Sequence, residues 1–213
     1  MPDPHLAEQF VDLRQQQNAA ELGLWTFVAS EVLFFGGLFL AYSVYRIADP
    51  TGFAAAARHT EIVLGTANTA VLLTSSFLVA WAVAAARAQS RRTAAALLWM
   101  AAVLGVVFLV IKGFEYRREY DEHLIPGLNL ATSGSHATAD NLFFSFYFAA
   151  TGVHAIHVAL GIAVIAATGL RAWQGAYSAE YHAPITVAGL YWHFVDVVWI
   201  VLFALIYLPG RAP

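Results

Sequence analysis

Near the carboxy-terminal end of the sequence, Tyr191-Trp192-His193-Phe194-Val195-Asp196-Val197-Val198-Trp199 sets an imidazole and a carboxylate three residues apart inside an apolar run that reaches Leu208. Two further imidazoles, His154 and His157, have the same spacing in Thr151-Gly152-Val153-His154-Ala155-Ile156-His157-Val158, and Glu31 stands in the earlier run Ser30-Glu31-Val32-Leu33-Phe34-Phe35. Residues three apart on a helix share a face, so each pair can meet a partner together. The chemistry open to such groups is interhelical hydrogen bonding, proton handling or metal binding, since imidazole and carboxylate both ligate zinc and iron. Ionisable groups at bilayer depth are costly and mark a functional site by default.

That cost applies because the runs around these residues have the composition of membrane spans. The chain of 213 residues is 60% apolar with 12% Asp, Glu, Lys and Arg, and its mean hydropathy is +0.63. A helix crossing about 30 Å of hydrocarbon takes roughly 20 apolar residues, and residues 24–45, 62–86, 94–113, 142–170 and 187–208 qualify. The expectation is an all-α, polytopic bundle of five transmembrane helices forming one domain over residues 1–213. Residues 1–22 carry Asp3, Glu8, Asp12 and Glu21 against Arg14, unlike the positive leader of a signal peptide. They are expected to remain on the protein as a polar arm.

The absence of cysteine removes disulfides, thiolate ligands and iron–sulfur clusters. A formal net charge of −3, spread along the chain, gives no sign of a nucleic-acid partner. The longest connector, residues 114–141, mixes Glu115, Arg117, Arg118, Glu119, Asp121, Glu122 and Asp140 with a Pro126-Gly127 turn, and is expected to fold over one end of the bundle. Basic residues divide almost evenly between the two ends. The tight loop holding Arg87, Arg91 and Arg92 without an acid favours the cytoplasmic side, hence an N-terminus inside and a C-terminus outside.

Glu31 lies seven residues into the first run, about 10 Å below the boundary at 1.5 Å per residue. Its helical neighbours Phe27, Phe34 and Phe35 surround it with aromatic surface. Two readings stand open for it, an acid hydrogen-bonded to a neighbouring helix and a group that handles protons. Gly152 and Gly161 flank the histidine pair, and small residues let another helix backbone come close. A short connector can return the last run antiparallel and bring His193 and Asp196 alongside. Neither the Glu-x-x-His pair of di-iron bundles nor a His-Glu-x-x-His motif is present, so buried imidazoles bonded across helices account for these residues more simply than a metal does. Two facing imidazoles would also suffice for a haem, although nothing beyond their presence argues for one. Arg171 and His182 belong at one water interface, either together on an anionic lipid head group or as a snorkelling arginine and a solvated histidine.

These motifs resemble subunit III of haem–copper terminal oxidases, in the five-helix bacterial form. The resemblance rests on Leu24-Trp25-Thr26-Phe27, Ser30-Glu31-Val32-Leu33-Phe34-Phe35, Glu115-Tyr116, residues 151–161 and residues 191–199, and it covers nearly all five runs. It implies a subunit without haem or copper of its own, packed against catalytic subunit I and assembled with subunit II in the plasma membrane. Haem and copper would sit in those partners, whose complex reduces O2 to water and moves protons. The resemblance further implies bound phospholipid in a cleft between helices, support of proton uptake, and protection of the complex during turnover. Glu31 falls on the family's buried glutamate, and Arg171 and His182 on positions associated with lipid head groups. The seven-helix form has two further N-terminal spans, which bears on one wall of that cleft. Asn68-Thr69, Leu72-Leu73-Thr74-Ser75-Ser76 and Ile111-Lys112-Gly113-Phe114-Glu115-Tyr116 also resemble subunit III-like proteins associated with nitric oxide reductases. A stand-alone transporter or metal-binding membrane enzyme is the alternative of a different class.

Overall fold

Helix formation begins where the sequence supplies a cap. Asp12 stands in extended backbone and its carboxylate accepts from Gln15 N at 2.7 Å, opening α1 (Leu13–Ala48), as N-cap carboxylates do. Asp49 then ends α1 and starts α2 (Pro50–Ala57), accepting from Gly52 N at 2.9 Å with Pro50 in the first turn, where a missing N–H costs nothing. The remaining helices are α3 (Ile62–Arg87), α4 (Arg91–Asp121), α5 (Ala137–Trp173) and α6 (Ala183–Ile206). This computed structural model describes residues 8–128, 130, 137–177, 183–209 and 211. All its regular elements are helical, and α1, α3, α4, α5 and α6 are each long and apolar enough to cross a membrane.

Helices α3, α4, α5 and α6 pack each on the next and close on themselves through α3 and α6. The core lies between them, built around Trp192, Trp199, Phe108, Phe143, Tyr147 and Leu98. Outside this four-helix body, α1 runs along α6 and α5 and buries only Phe35 and Tyr42. Tyr42 donates from its hydroxyl to Leu205 O at 2.8 Å, tying the far end of α1 to α6.

The close approach expected at Gly161 takes the form of a side chain against the helix. A Cβ there would stand 2.9 Å from the Trp192 ring, and one at Gly105 would stand 2.7 Å from the same indole. Trp192 of α6 thus lies between α4 and α5 because both helices offer it bare backbone. Gly152 has no such neighbour; the nearest atom to its Cβ position is the Tyr116 hydroxyl at 3.9 Å.

Two boundaries differ from the hydropathy reading. The polar arm is helical from Leu13, continuous with the first span. The third span runs on to Asp121, so residues 114–121 are helix rather than connector. The physical reason is that Lys112, Glu115 and Glu119 fall at i, i+3 and i+7 on one face. All three are buried against the bundle, where they compensate one another.

Candidate functional site

The five ionisable residues picked out in the spans do not form one network. Glu31 of α1 reaches across to α5, its Oε2 standing 3.2 Å from His157 Nε2. The same imidazole lies 2.9 Å from Val153 O through Nδ1. A carbonyl only accepts, so Nδ1 carries a hydrogen and points it there. One proton is therefore left to the Nε2···Oε2 contact, carried by either the acid or the ring. Phe35 covers the ring edge-on at 5.4 Å, and the Tyr191 hydroxyl donates to His157 O at 3.1 Å. The contact joins α1, α5 and α6 at one level.

His193 bonds in a different direction. Its Nδ1 lies 2.5 Å from the Ser76 hydroxyl on α3, while Asp196, one turn further along α6, is buried with neither carboxyl oxygen hydrogen-bonded to a described residue. His154 is separate again. It is fully buried, stacked on Trp199 at 5.3 Å and set edge-on to Phe108 at 5.7 Å. Neither of its ring nitrogens is hydrogen-bonded to a described residue. His154 and His157 thus share a helix without sharing a partner. The expectation that the last span gathers both pairs gives way to three separate contacts, because the α5 face turns from the core at His154 toward α1 at His157.

A five-residue polar centre among the described residues is one that the spacing of the span histidines did not reveal. Near the C-terminal end of α4, Lys112 Nζ donates to the hydroxyls of Tyr147 on α5 at 2.7 Å and Tyr207, just beyond α6, at 2.6 Å. It also pairs with Glu115 Oε2 at 3.1 Å. Tyr207 donates to Glu115 Oε1 at 2.6 Å, and the Tyr147 hydroxyl contacts Glu115 Oε1 at 3.0 Å and Glu119 Oε1. All five side chains are buried. Buried charges are tolerable when paired and hydrogen-bonded in this way. The signal that would have found them is the i, i+3, i+7 spacing of Lys112, Glu115 and Glu119 continuing the helical period of the third run.

The surfaces carry the remaining candidates. A groove between α1 and α6 is lined by Leu24, Trp25, Val28, Leu190, Phe194 and His193 and is almost wholly apolar. At the same end, where α5 finishes, a second cavity has an apolar floor of Ala86, Ala94, Ala172 and Ile185 and a polar mouth of Gln89, Arg91 and Tyr177. Arg171 is exposed in the last turn of α5 at this end. His182 lies outside the described residues. Among the described residues no group of three or more His, Asp or Glu side chains is placed to hold a metal ion.

The sequence profile of the family described as cytochrome c oxidase subunit III matches residues 12–211. The chain is 35% identical to cytochrome c oxidase subunit 3 of Thermostichus vulcanus over 195 residues, covering 89% of this chain and 87% of that protein. It is 36% identical to the Synechocystis protein of the same name over 187 residues, covering 87% of this chain and 74% of the relative. The Gadus morhua protein of that name is 33% identical over 203 residues, 91% of this chain and 71% of the relative.

Proposed function

Because the chain belongs to the cytochrome c oxidase subunit III family and is a subunit of the haem–copper oxidase kind, we propose that it is the accessory, non-catalytic component of a proton-pumping complex that reduces O2 to water. It packs on subunit I, with subunit II in the same assembly, in the bacterial plasma membrane. Haem and copper belong to those partners. The N-terminus faces the cytoplasm and the C-terminus the outside, the side assigned by the Arg87, Arg91 and Arg92 loop; with Lys112 drawn into the bundle, the arginines themselves remain evenly divided between the ends.

The single observation that carries this reading is the way ionisable groups are used. Those with described partners inside the spans reach other elements of the same chain: Glu31 on α1 to His157 on α5, His193 on α6 to Ser76 on α3, and Lys112, ion-paired to Glu115 on its own helix, to Tyr147 on α5 and to Tyr207 just beyond α6. A transporter would turn such groups toward a path for its substrate. Here they orient helices. An interhelical hydrogen bond in a membrane contributes only about 0.6–2 kcal/mol, enough to fix which face each helix presents.

The apolar groove between α1 and α6 is suited to acyl chains, and the basic end of the bundle, with Arg171, to the head groups above them. Phospholipid held there fills the space between the outer helix and the four-helix body. Through that lipid and its packing on subunit I, the chain supports proton uptake and the durability of the complex.

The experiment is purification of the tagged chain from its host in mild detergent. Recovery with a haem-bearing catalytic subunit, and of O2-reducing activity, is the expected result. Recovery as an oligomer of itself without a haem protein would overturn the reading, and recovery with a nitric oxide-reducing subunit would move the chain to the other branch of the resemblance.

A further inference from the structure

The hydrogen bonds around Lys112 fix where the protons are. An ammonium has three hydrogens and no acceptor; two of them go to the Tyr147 and Tyr207 hydroxyls, and its charge pairs with Glu115 Oε2 at 3.1 Å. The Tyr207 hydroxyl has already accepted from Lys112, so its own hydrogen goes to Glu115 Oε1. That leaves Tyr147. Its single hydroxyl hydrogen faces two carboxyl oxygens, Glu115 Oε1 at 3.0 Å and Glu119 Oε1. It cannot donate to both. If both acids were ionised, one contact would press a hydroxyl lone pair against a bare carboxylate oxygen in the buried interior.

We propose that Glu119 is a proton-binding site, a neutral carboxylic acid that donates its own hydrogen to the Tyr147 oxygen and leaves the buried cluster without net charge. Glu115 is the ionised member. Its Oε2 touches the ammonium, and its Oε1 accepts from both tyrosines. Neither Oε2 has a hydrogen-bond partner among the described residues, but that of Glu115 has the ammonium at 3.1 Å, whereas that of Glu119 has no ion pair and is left bare. An ionised carboxylate with an oxygen left bare is far costlier to bury than a neutral acid. The arrangement that satisfies every contact and keeps the negative charge beside the ammonium is ammonium at Lys112, carboxylate at Glu115, hydroxyl hydrogens on both tyrosines, and the added proton at Glu119.

Placement makes the site consequential. The proton holds together α4, α5 and the segment after α6, which all contribute to the cluster. The titratable and charged groups facing Glu119 are Lys112, Glu115 and Tyr116 on α4, Glu122 just beyond it, Tyr147 on α5 and Tyr207 after α6. Removing the proton would leave the buried cluster with one positive charge, at Lys112, against two negative ones, at Glu115 and Glu119, with Glu122 adding a further negative charge nearby. Alkaline conditions would therefore loosen this end of the bundle while the Glu31–His157 contact, held by other helices, stays as it was.

The test uses the detergent-purified protein with whatever subunits accompany it, labelled with carboxyl-13C glutamate. Infrared difference spectra are taken between wild type and Glu119→Gln near neutral pH. The expected difference is loss of the carbonyl stretch of a protonated glutamic acid, with the carboxylate stretches unchanged. Loss of carboxylate stretches instead would overturn the inference. Glutamine offers an N–H where the acid offers its O–H, so E119Q should accumulate at wild-type yield, whereas Glu119→Ala should fall severalfold. Failure of E119Q to accumulate would count against the proton site as squarely as the wrong spectrum.

Discussion

Glu31 Oε2 and His157 Nε2 meet at 3.2 Å across the gap between α1 and α5. Since His157 Nδ1 is committed to Val153 O, this contact needs one hydrogen, and either partner can bring it. Glu31→Gln supplies an N–H in the same place and should leave the packing intact. Glu31→Ala should cost about 0.6–2 kcal/mol. Recovery of the chain with its complex, compared for the two variants, checks this. Equal recovery of both would remove Glu31 from the set of residues that orient α1.

The Lys112 cluster should behave as a buried ion pair. Lys112→Met leaves Glu115 charged and unpaired, a loss of about 3–5 kcal/mol. A second change, Glu115→Gln, should restore much of it by removing the stranded charge. Thermal unfolding of the single and double variants in detergent measures the coupling. If the double variant is as unstable as the sum of the two singles, the pair is not coupled as described.

Trp192 gives a packing prediction with a defined geometry. A Cβ at Gly161 would come within 2.9 Å of its indole, so Gly161→Ala should push α5 from α6 and destabilise the chain by about 1–3 kcal/mol, the range for overpacked cores. Gly152→Ala, with its nearest neighbour at 3.9 Å, should be nearly silent. A comparison of melting temperatures decides, and similar shifts at both glycines would contradict the account.

How much of this was legible in the sequence varies with the physical signal. The five spans were readable because hydropathy over about 20 residues reports burial in hydrocarbon directly. The end of α4 was not, because Glu115, Arg117, Arg118 and Glu119 lower the local hydropathy although Glu115 and Glu119 are buried and compensated. Hydropathy scores each side chain alone and cannot register a partner on another helix. The His154 and His157 pairing failed for a related reason. A spacing of three places residues near one face, but the two sides of that face look at different neighbours, Trp199 in one case and Glu31 in the other. At Gly161 the missing side chain did mark a close approach, but the Trp192 indole rather than a helix backbone fills it, and Gly152 has no such neighbour.

The lipid reading also separates by variant. Arg171→Ala should lower the anionic phospholipid retained through purification, as measured by mass spectrometry of extracted lipid, while leaving subunit composition unchanged. Val28→Trp, placed in the α1 and α6 groove, should displace lipid without altering charge. Unchanged lipid content in both variants would argue that neither the basic end nor the groove holds it.

The central claim is that this chain stabilises and supports a redox complex without taking part in its electron chemistry. Its most direct test is to compare the complex isolated with the chain and the complex isolated from cells lacking it, following haem content, proton uptake and O2 consumption through sustained turnover. The account predicts equal haem per catalytic subunit, with slower proton uptake and activity decaying sooner when the chain is absent. A haem or copper centre lost along with the chain would contradict it.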